Sequence, residues 1–208
     1  MYKLIKSFIF FVLISVSSFG QEKIVATASI MQDIVQNIAG SDIQVESIVP
    51  IGGDPHIYDP TPSDAALISQ SKVIFINGLT FEGWLGKLID NSGTSAEIVL
   101  MTKDIQPIES LKYKNSADPH AWMDVINAVK YAENAKDGLI RIYPEQKTEF
   151  EQNFKIYRDS LMELHEWVHN QIQRIPESHR YLVTSHDAFQ YYGRQYGIEL
   201  VALLGTTT

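Results

Sequence analysis

Three histidines occupy matched settings in this chain: His56 in GGDPHIYDPTPSD, His120 in SADPHAWMDV and His186 in YLVTSHDAFQYYG. Neutral imidazole is a common ligand for borderline divalent ions, so a metal site is the first chemistry these residues suggest. Two of the three close the same tripeptide, Asp-Pro-His, at 54–56 and 118–120. Proline fixes its own φ and moves the preceding residue out of the α region, so each tripeptide is a stiff loop that holds an imidazole at a set angle. The third histidine follows the strand-like YLVT after one serine. Each also has a carboxylate beside it in sequence, Asp54, Asp118 and Asp187, of the kind that accepts from the ring nitrogen turned away from a metal. A lone histidine is more often a loop or core residue than a ligand. Two copies of one rigid tripeptide and a third histidine in a matching place exceed what packing explains, and His56, His120 and His186 are the candidate metal ligands.

The elements around them alternate. Residues 23–29 read as a strand, 31–39 as a helix stopped by Gly40, and 43–50 as a strand before Gly52 and Gly53 open the first histidine loop. A short helix at 63–69 follows, with Pro62 suited to its first turn. Residues 73–77 (VIFIN) form an apolar run of buried-strand type, 81–89 a helix and 97–101 a strand. This alternation predicts an α/β fold with a mainly parallel sheet and helices on both faces. Residues 118–142 take the second histidine into a helix. After Pro144, residues 145–174 make the longest periodic segment, with Phe150, Phe154, Tyr157, Leu161, Leu164, Val168 and Ile172 at steps of three and four. Thirty helical residues reach roughly 45 Å, enough to cross between two domains. Beyond Pro176 come a strand, the third histidine loop, a helix and the start of another strand, too little to bury a core of its own. The expected division is a signal peptide at 1–20, a first α/β lobe at 21–144, a linking helix at 145–175 and the start of a second α/β lobe at 176–208.

The first twenty residues have the order of a secretory signal: Lys3 and Lys6, an apolar run from 8 to 16, and a small-residue site at 18–20. Their removal leaves 15 basic and 25 acidic residues, a net charge of 15 − 25 = −10. An exported acidic chain suits cations and not nucleic acid. The chain has no cysteine, which excludes a disulfide framework and the thiol on which a lipid anchor is built. The expectation is a free monomer in the periplasm.

A second motif competes for attention. His165-Glu166-Trp167-Val168-His169 spells HExxH, which on a helix places two imidazoles on one face as in zinc proteases. The extended protease pattern requires glycine and histidine where Ile172 and Ile175 stand. The motif therefore reads as a chance match on a solvated helix face, with Trp167 packed on a neighbour. Trp84, Trp122, Tyr191 and Tyr192 could border a cleft, and aromatic residues at helical spacing favour core.

GGDPHIYDPTPSD, DPHAWMDV, the long amphipathic segment and VTSHDAF, in this order, resemble the metal-binding solute-binding proteins of bacterial ABC importers, which deliver zinc or manganese to a membrane permease. The resemblance runs from about Lys23 to the last residue. It implies two doubly wound α/β lobes joined by one rigid helix, with the ion in the cleft between them and no chemistry performed on it. His56 and His120 would be ligands from the first lobe and His186 the first ligand from the second. The family normally closes its site with an acidic residue late in the second lobe, and this sequence stops before it, so the second lobe is incomplete. The stretch 106–117, where many zinc-uptake members carry a histidine-rich loop, is short and has no histidine. Manganese-preferring relatives often place a carboxylate where His186 stands. Three nitrogen donors favour zinc, with manganese next. The rival readings are a three-histidine zinc hydrolase or metalloprotease, with a metal-activated water at an open position, and a binding protein for a chelated metal on the same fold.

Overall fold

The computed structural model describes residues 23–111 and 114–202; the signal peptide assigned to 1–20 lies outside them. The first lobe is built on a four-stranded parallel sheet of order β2-β1-β3-β4. Its strands are β1 (Lys23–Ala26), β2 (Val45–Ser47), β3 (Ser71–Ile76) and β4 (Glu97–Leu100). β1 and β3 are central, and Ile24, Val25, Ala26, Val73, Ile74 and Phe75 are all buried, as a sheet covered on both faces demands. One face carries α1 (Ser29–Ala39) and α4 (Val125–Ile142), the other α2 (Pro62–Ser69) and α3 (Leu85–Ser92). Gly138 lets α4 lie close on the sheet, since a Cβ there would stand 2.9 Å from both Phe75 Cε1 and Val99 Cγ2.

α5 (Lys147–Gln173) has 27 residues, roughly 40 Å at 1.5 Å per residue. Its first half packs Phe150, Phe154 and Tyr157 into the core under α1 and α4, and Asn153 donates to the Ile38 carbonyl at 3.0 Å. Its second half turns Leu161, Val168 and Ile172 toward Tyr192, Tyr196 and Ile198. One helix thus serves both lobes. After it come β5 (Tyr181–Thr184), α6 (Gln190–Tyr196) and β6 (Glu199–Ala202), with β5 and β6 paired in parallel. Tyr181, Val183 and Val201 are exposed, so this second, incomplete lobe has one uncovered sheet face. No helix among the described residues is long and apolar enough to cross a membrane.

Two expected elements begin elsewhere. α3 starts at Leu85 and not at 81, because Gly78, Leu79 and Thr80 turn with positive φ (78°, 51° and 65°) and delay the helix. β2 keeps only three residues of the expected eight, as the chain leaves the sheet to form the first histidine loop.

Candidate metal centre

The three histidine loops leave the same rim of the fold. His56 lies between β2 and α2, His120 ahead of a single 3-10 turn (Ala121–Met123) that leads into α4, and His186 between β5 and α6. In open α/β sheets ligands gather at the carboxyl ends of the strands, where the order reverses, here between β1 and β3.

The two Asp-Pro-His loops are folded alike. In each, the aspartate Oδ1 accepts from the backbone N–H of the histidine two residues on, at 2.9 Å in both, so proline and an aspartate-closed turn fix the loop together. In each, the proline carbonyl is also held by a distant side chain. Trp84 Nε1 donates to the Pro55 carbonyl at 2.7 Å, and Asn77 Nδ2 to the Pro119 carbonyl at 3.0 Å. The first loop then runs into α2 through a capping box: Thr61 receives the Asp64 amide, and the Asp64 carboxylate accepts from the Thr61 N–H at 2.7 Å and the Tyr58 hydroxyl at 2.9 Å. The second runs into α4, whose first turn is capped by Asp124 Oδ1 accepting from Ile126 N at 2.9 Å.

The imidazoles converge. His120 Nε2 lies 3.1 Å from His56 Nε2 and 3.2 Å from His186 Nε2. Donors at about 2.0–2.1 Å around a tetrahedral ion stand roughly 3.3–3.4 Å apart, so this spacing nearly matches the edge of a zinc-type coordination polyhedron. His120 is buried, His56 half-buried and His186 exposed. His120 Nδ1 donates to Asp118 Oδ1 at 2.7 Å, and Asp118 is 1% exposed. That bond puts the ring proton on Nδ1 and leaves the Nε2 lone pair for a cation. Phe81 meets the His56 ring edge-on at 4.9 Å and Trp122 at 5.2 Å, giving the group an apolar aromatic wall. Tyr191, fully buried on α6, bridges the segments: its hydroxyl accepts from Ile108 N at 3.1 Å and donates to the Asp118 carbonyl at 2.9 Å.

All three histidines chosen from the sequence are therefore brought together. The residues that hold them were missed: Asn77 and Trp84 carry no motif spacing to the loops they clamp, being 42 and 29 residues away. Trp84 and Trp122, read as core, are half-buried and packed against core clusters, and Trp122 also stands 5.4 Å from the His120 ring. Among the described residues, His56, His120 and His186 are the one group of three or more potential donors close enough to share an ion. The HExxH histidines do not join any such group, and their surroundings differ from expectation. His165 is half-buried against Tyr196, with Nδ1 3.2 Å from its hydroxyl, while Trp167 is 60% exposed. Leu164, placed on the apolar face, is also exposed, because α5 rotates Tyr157, Leu161 and Val168 toward its neighbours.

Two α/β lobes share one long helix, with three imidazoles gathered where the lobes meet. The chain belongs to the family described as zinc-uptake complex component A, periplasmic, whose family model matches residues 24–208. That is a family of transporter solute-binding proteins and not of enzymes. The chain is 41% identical over 182 residues to the manganese-binding lipoprotein MntA of Halalkalibacterium halodurans, covering 87% of this chain and 60% of that protein. It is 37% identical over 188 residues to the manganese ABC transporter substrate-binding lipoprotein PsaA of Streptococcus pneumoniae, covering 86% and 61%. Among solved structures, the Mn-bound periplasmic metal binding protein of Candidatus Liberibacter asiaticus superimposes with a TM-score of 0.83 at 28% identity, over 90% of this chain and 71% of that one. A Cd-bound structure of the periplasmic metal binding protein from the same organism gives 0.82. The chain thus spans about 60% of the length of the curated relatives it matches.

Proposed function

We propose that this protein captures one divalent metal ion through His56, His120 and His186 outside the cytoplasm and delivers it to the permease of an ABC importer. The observation that carries the reading is the convergence of three Nε2 atoms, two of them within 3.1 and 3.2 Å of the third. With its ring proton held on Nδ1 by Asp118, His120 turns an Nε2 lone pair toward the other two imidazoles, where a shared metal ion would be bound by all three. The ion is cargo and undergoes no reaction. Zinc is the favoured cargo and manganese the next, because an all-nitrogen donor set suits a borderline ion better than one that prefers oxygen. The manganese named for the relatives, and the manganese and cadmium in the related structures, support a divalent cargo without selecting zinc.

The division into a first lobe at 21–144, a linking helix at 145–175 and a second lobe from 176 belongs to the same proposal, as does delivery by a monomer. Several relatives are named lipoproteins, and the present sequence contains no cysteine, so we place the protein free in the periplasm. Cell fractionation checks the location: recovery in the soluble extracytoplasmic fraction agrees, and recovery with membranes contradicts it. Calorimetric titration checks the cargo. Zinc should bind more tightly than manganese, in line with the affinity order of divalent ions at nitrogen sites. Near-equal affinities would contradict the zinc preference and require oxygen donors around the ion.

A further inference from the structure

The turn at 78–80 is left-handed at three successive residues, and only Gly78 is suited to it. Its positive φ calls for glycine, whereas the 2.3 Å from a Cβ there to Leu100 Cδ1 could be relieved by movement of that exposed side chain. Leu79 and the β-branched Thr80 hold positive φ against the clash of Cβ with the backbone. Strained backbone persists only where its surroundings over-determine it.

The restraint here is a single carboxylate. Glu82 Oε1 accepts from Asn77 N at 2.6 Å and from the Thr27 hydroxyl at 2.6 Å, and Oε2 accepts from Gly78 N at 3.0 Å. These three donors sit at the ends of the two central strands, Thr27 after β1 and Asn77 and Gly78 after β3. From the restrained turn two side chains go to the two Asp-Pro-His loops. Asn77 is fully buried and donates to the Pro119 carbonyl, while its Oδ1 accepts from the Tyr131 hydroxyl. Phe81, 2% exposed, lies edge-on to the His56 ring. We propose that Glu82 is a positioning residue for the metal centre: its carboxylate holds the strained turn at 78–80, and the turn sets the His120 loop through Asn77 and the His56 ring through Phe81. In this arrangement Glu82 acts on the two loops through the turn it holds. The inference rests on the reading of those histidines as ligands for its effect on metal, but not for its effect on the loops.

The test uses the full chain and the variant Glu82→Gln, which keeps the size of the side chain but turns an amide N–H toward at least one of the three donors. In the metal-free protein, the NMR signals of the His56 and His120 amides and of the Asn77 and Gly78 amides should shift, with faster hydrogen exchange at 77 and 78. Signals of α1 and of the far half of α4 should stay in place. Zinc titration should show affinity lowered about 10- to 100-fold, the loss typical of residues that orient ligands. Adding Thr80→Gly to Glu82→Gln should recover part of the affinity, since glycine takes the left-handed conformation without restraint. Thr80→Gly alone, with Glu82 in place, should leave zinc affinity unchanged, so recovery confined to the Glu82→Gln background marks the turn and not a general gain in stability. The double variant also serves if Glu82→Gln alone folds poorly. Unmoved signals at residues 56 and 120 overturn the proposal whether or not the protein binds metal. Shifted signals in a protein that binds no zinc would leave the positioning role standing and remove the metal reading. Shifted signals with unchanged zinc affinity would overturn the role at the metal centre.

Discussion

At the scale of single residues, the decisive feature is how each imidazole is oriented. His120 is buried and its Nδ1 is fixed by Asp118, so it should dominate affinity. Asp118→Asn keeps an acceptor oxygen but loses the charge that strengthens the ring as a donor. Its zinc affinity should fall about 10- to 100-fold with the stoichiometry unchanged, as calorimetry would show. Glu82 yields a prediction in pH. Burial pushes its carboxyl above the ordinary range, more than the Thr27 hydroxyl and the Asn77 and Gly78 amides pull it down. A carboxyl with a raised folded value binds its proton more tightly folded than unfolded. Its stabilising contribution is complete below the unfolded value and is lost as pH rises through the folded one. Denaturant unfolding of the wild type minus that of Glu82→Gln should therefore show a stability difference that declines as pH rises from the acidic side of the carboxylate range to neutrality. A difference independent of pH would mean that the carboxyl is not raised.

At the scale of elements, α4 and α6 carry the site on closely fitted contacts. Gly138→Ala places a methyl group 2.9 Å from Phe75 and Val99, and overpacking of this kind costs about 1–3 kcal/mol. Thermal unfolding should detect it, with metal affinity little changed because the loops lie at the other end of α4. Tyr191→Phe leaves the Ile108 N–H and the Asp118 carbonyl without the hydroxyl that joins them. Each unsatisfied buried group costs about 1–3 kcal/mol, and here the loss should also loosen α6 and raise the zinc dissociation rate, measurable by stopped-flow transfer to a chelator. Much of this level was legible in the sequence. The alternation of β1, β3 and their helices, Gly40 ending α1, Pro62 opening α2 and the long α5 follow from local periodicity and from residues that start or stop helices. The clamps did not, because Asn77 to Pro119 and Tyr191 to Asp118 are tertiary pairings across 42 and 73 residues. The turn at 78–80 was hidden for a different reason: Leu79 and Thr80 are not residue types that announce positive φ, and a carboxylate two residues later imposes it. The rotation of α5 that half-buries His165 and exposes Trp167 depends on α6, whose placement no local pattern reveals.

At the scale of the whole molecule, α5 joins the core around the four-stranded sheet to the smaller cluster of Val125, Ile172 and Tyr196. The site lies where these parts meet, with His56 and His120 on the larger and His186 on the smaller. Under the proposed function, capture of an ion by donors from both parts would tie their relative position to occupancy. The most direct test of this arrangement is the metal content of the chain after zinc loading and gel filtration, measured for the wild type and for the variant with His56, His120 and His186 all changed to alanine. One ion per wild-type chain and none in the triple variant is the result expected. Equal zinc in both proteins would place the ion elsewhere and contradict the three-histidine centre.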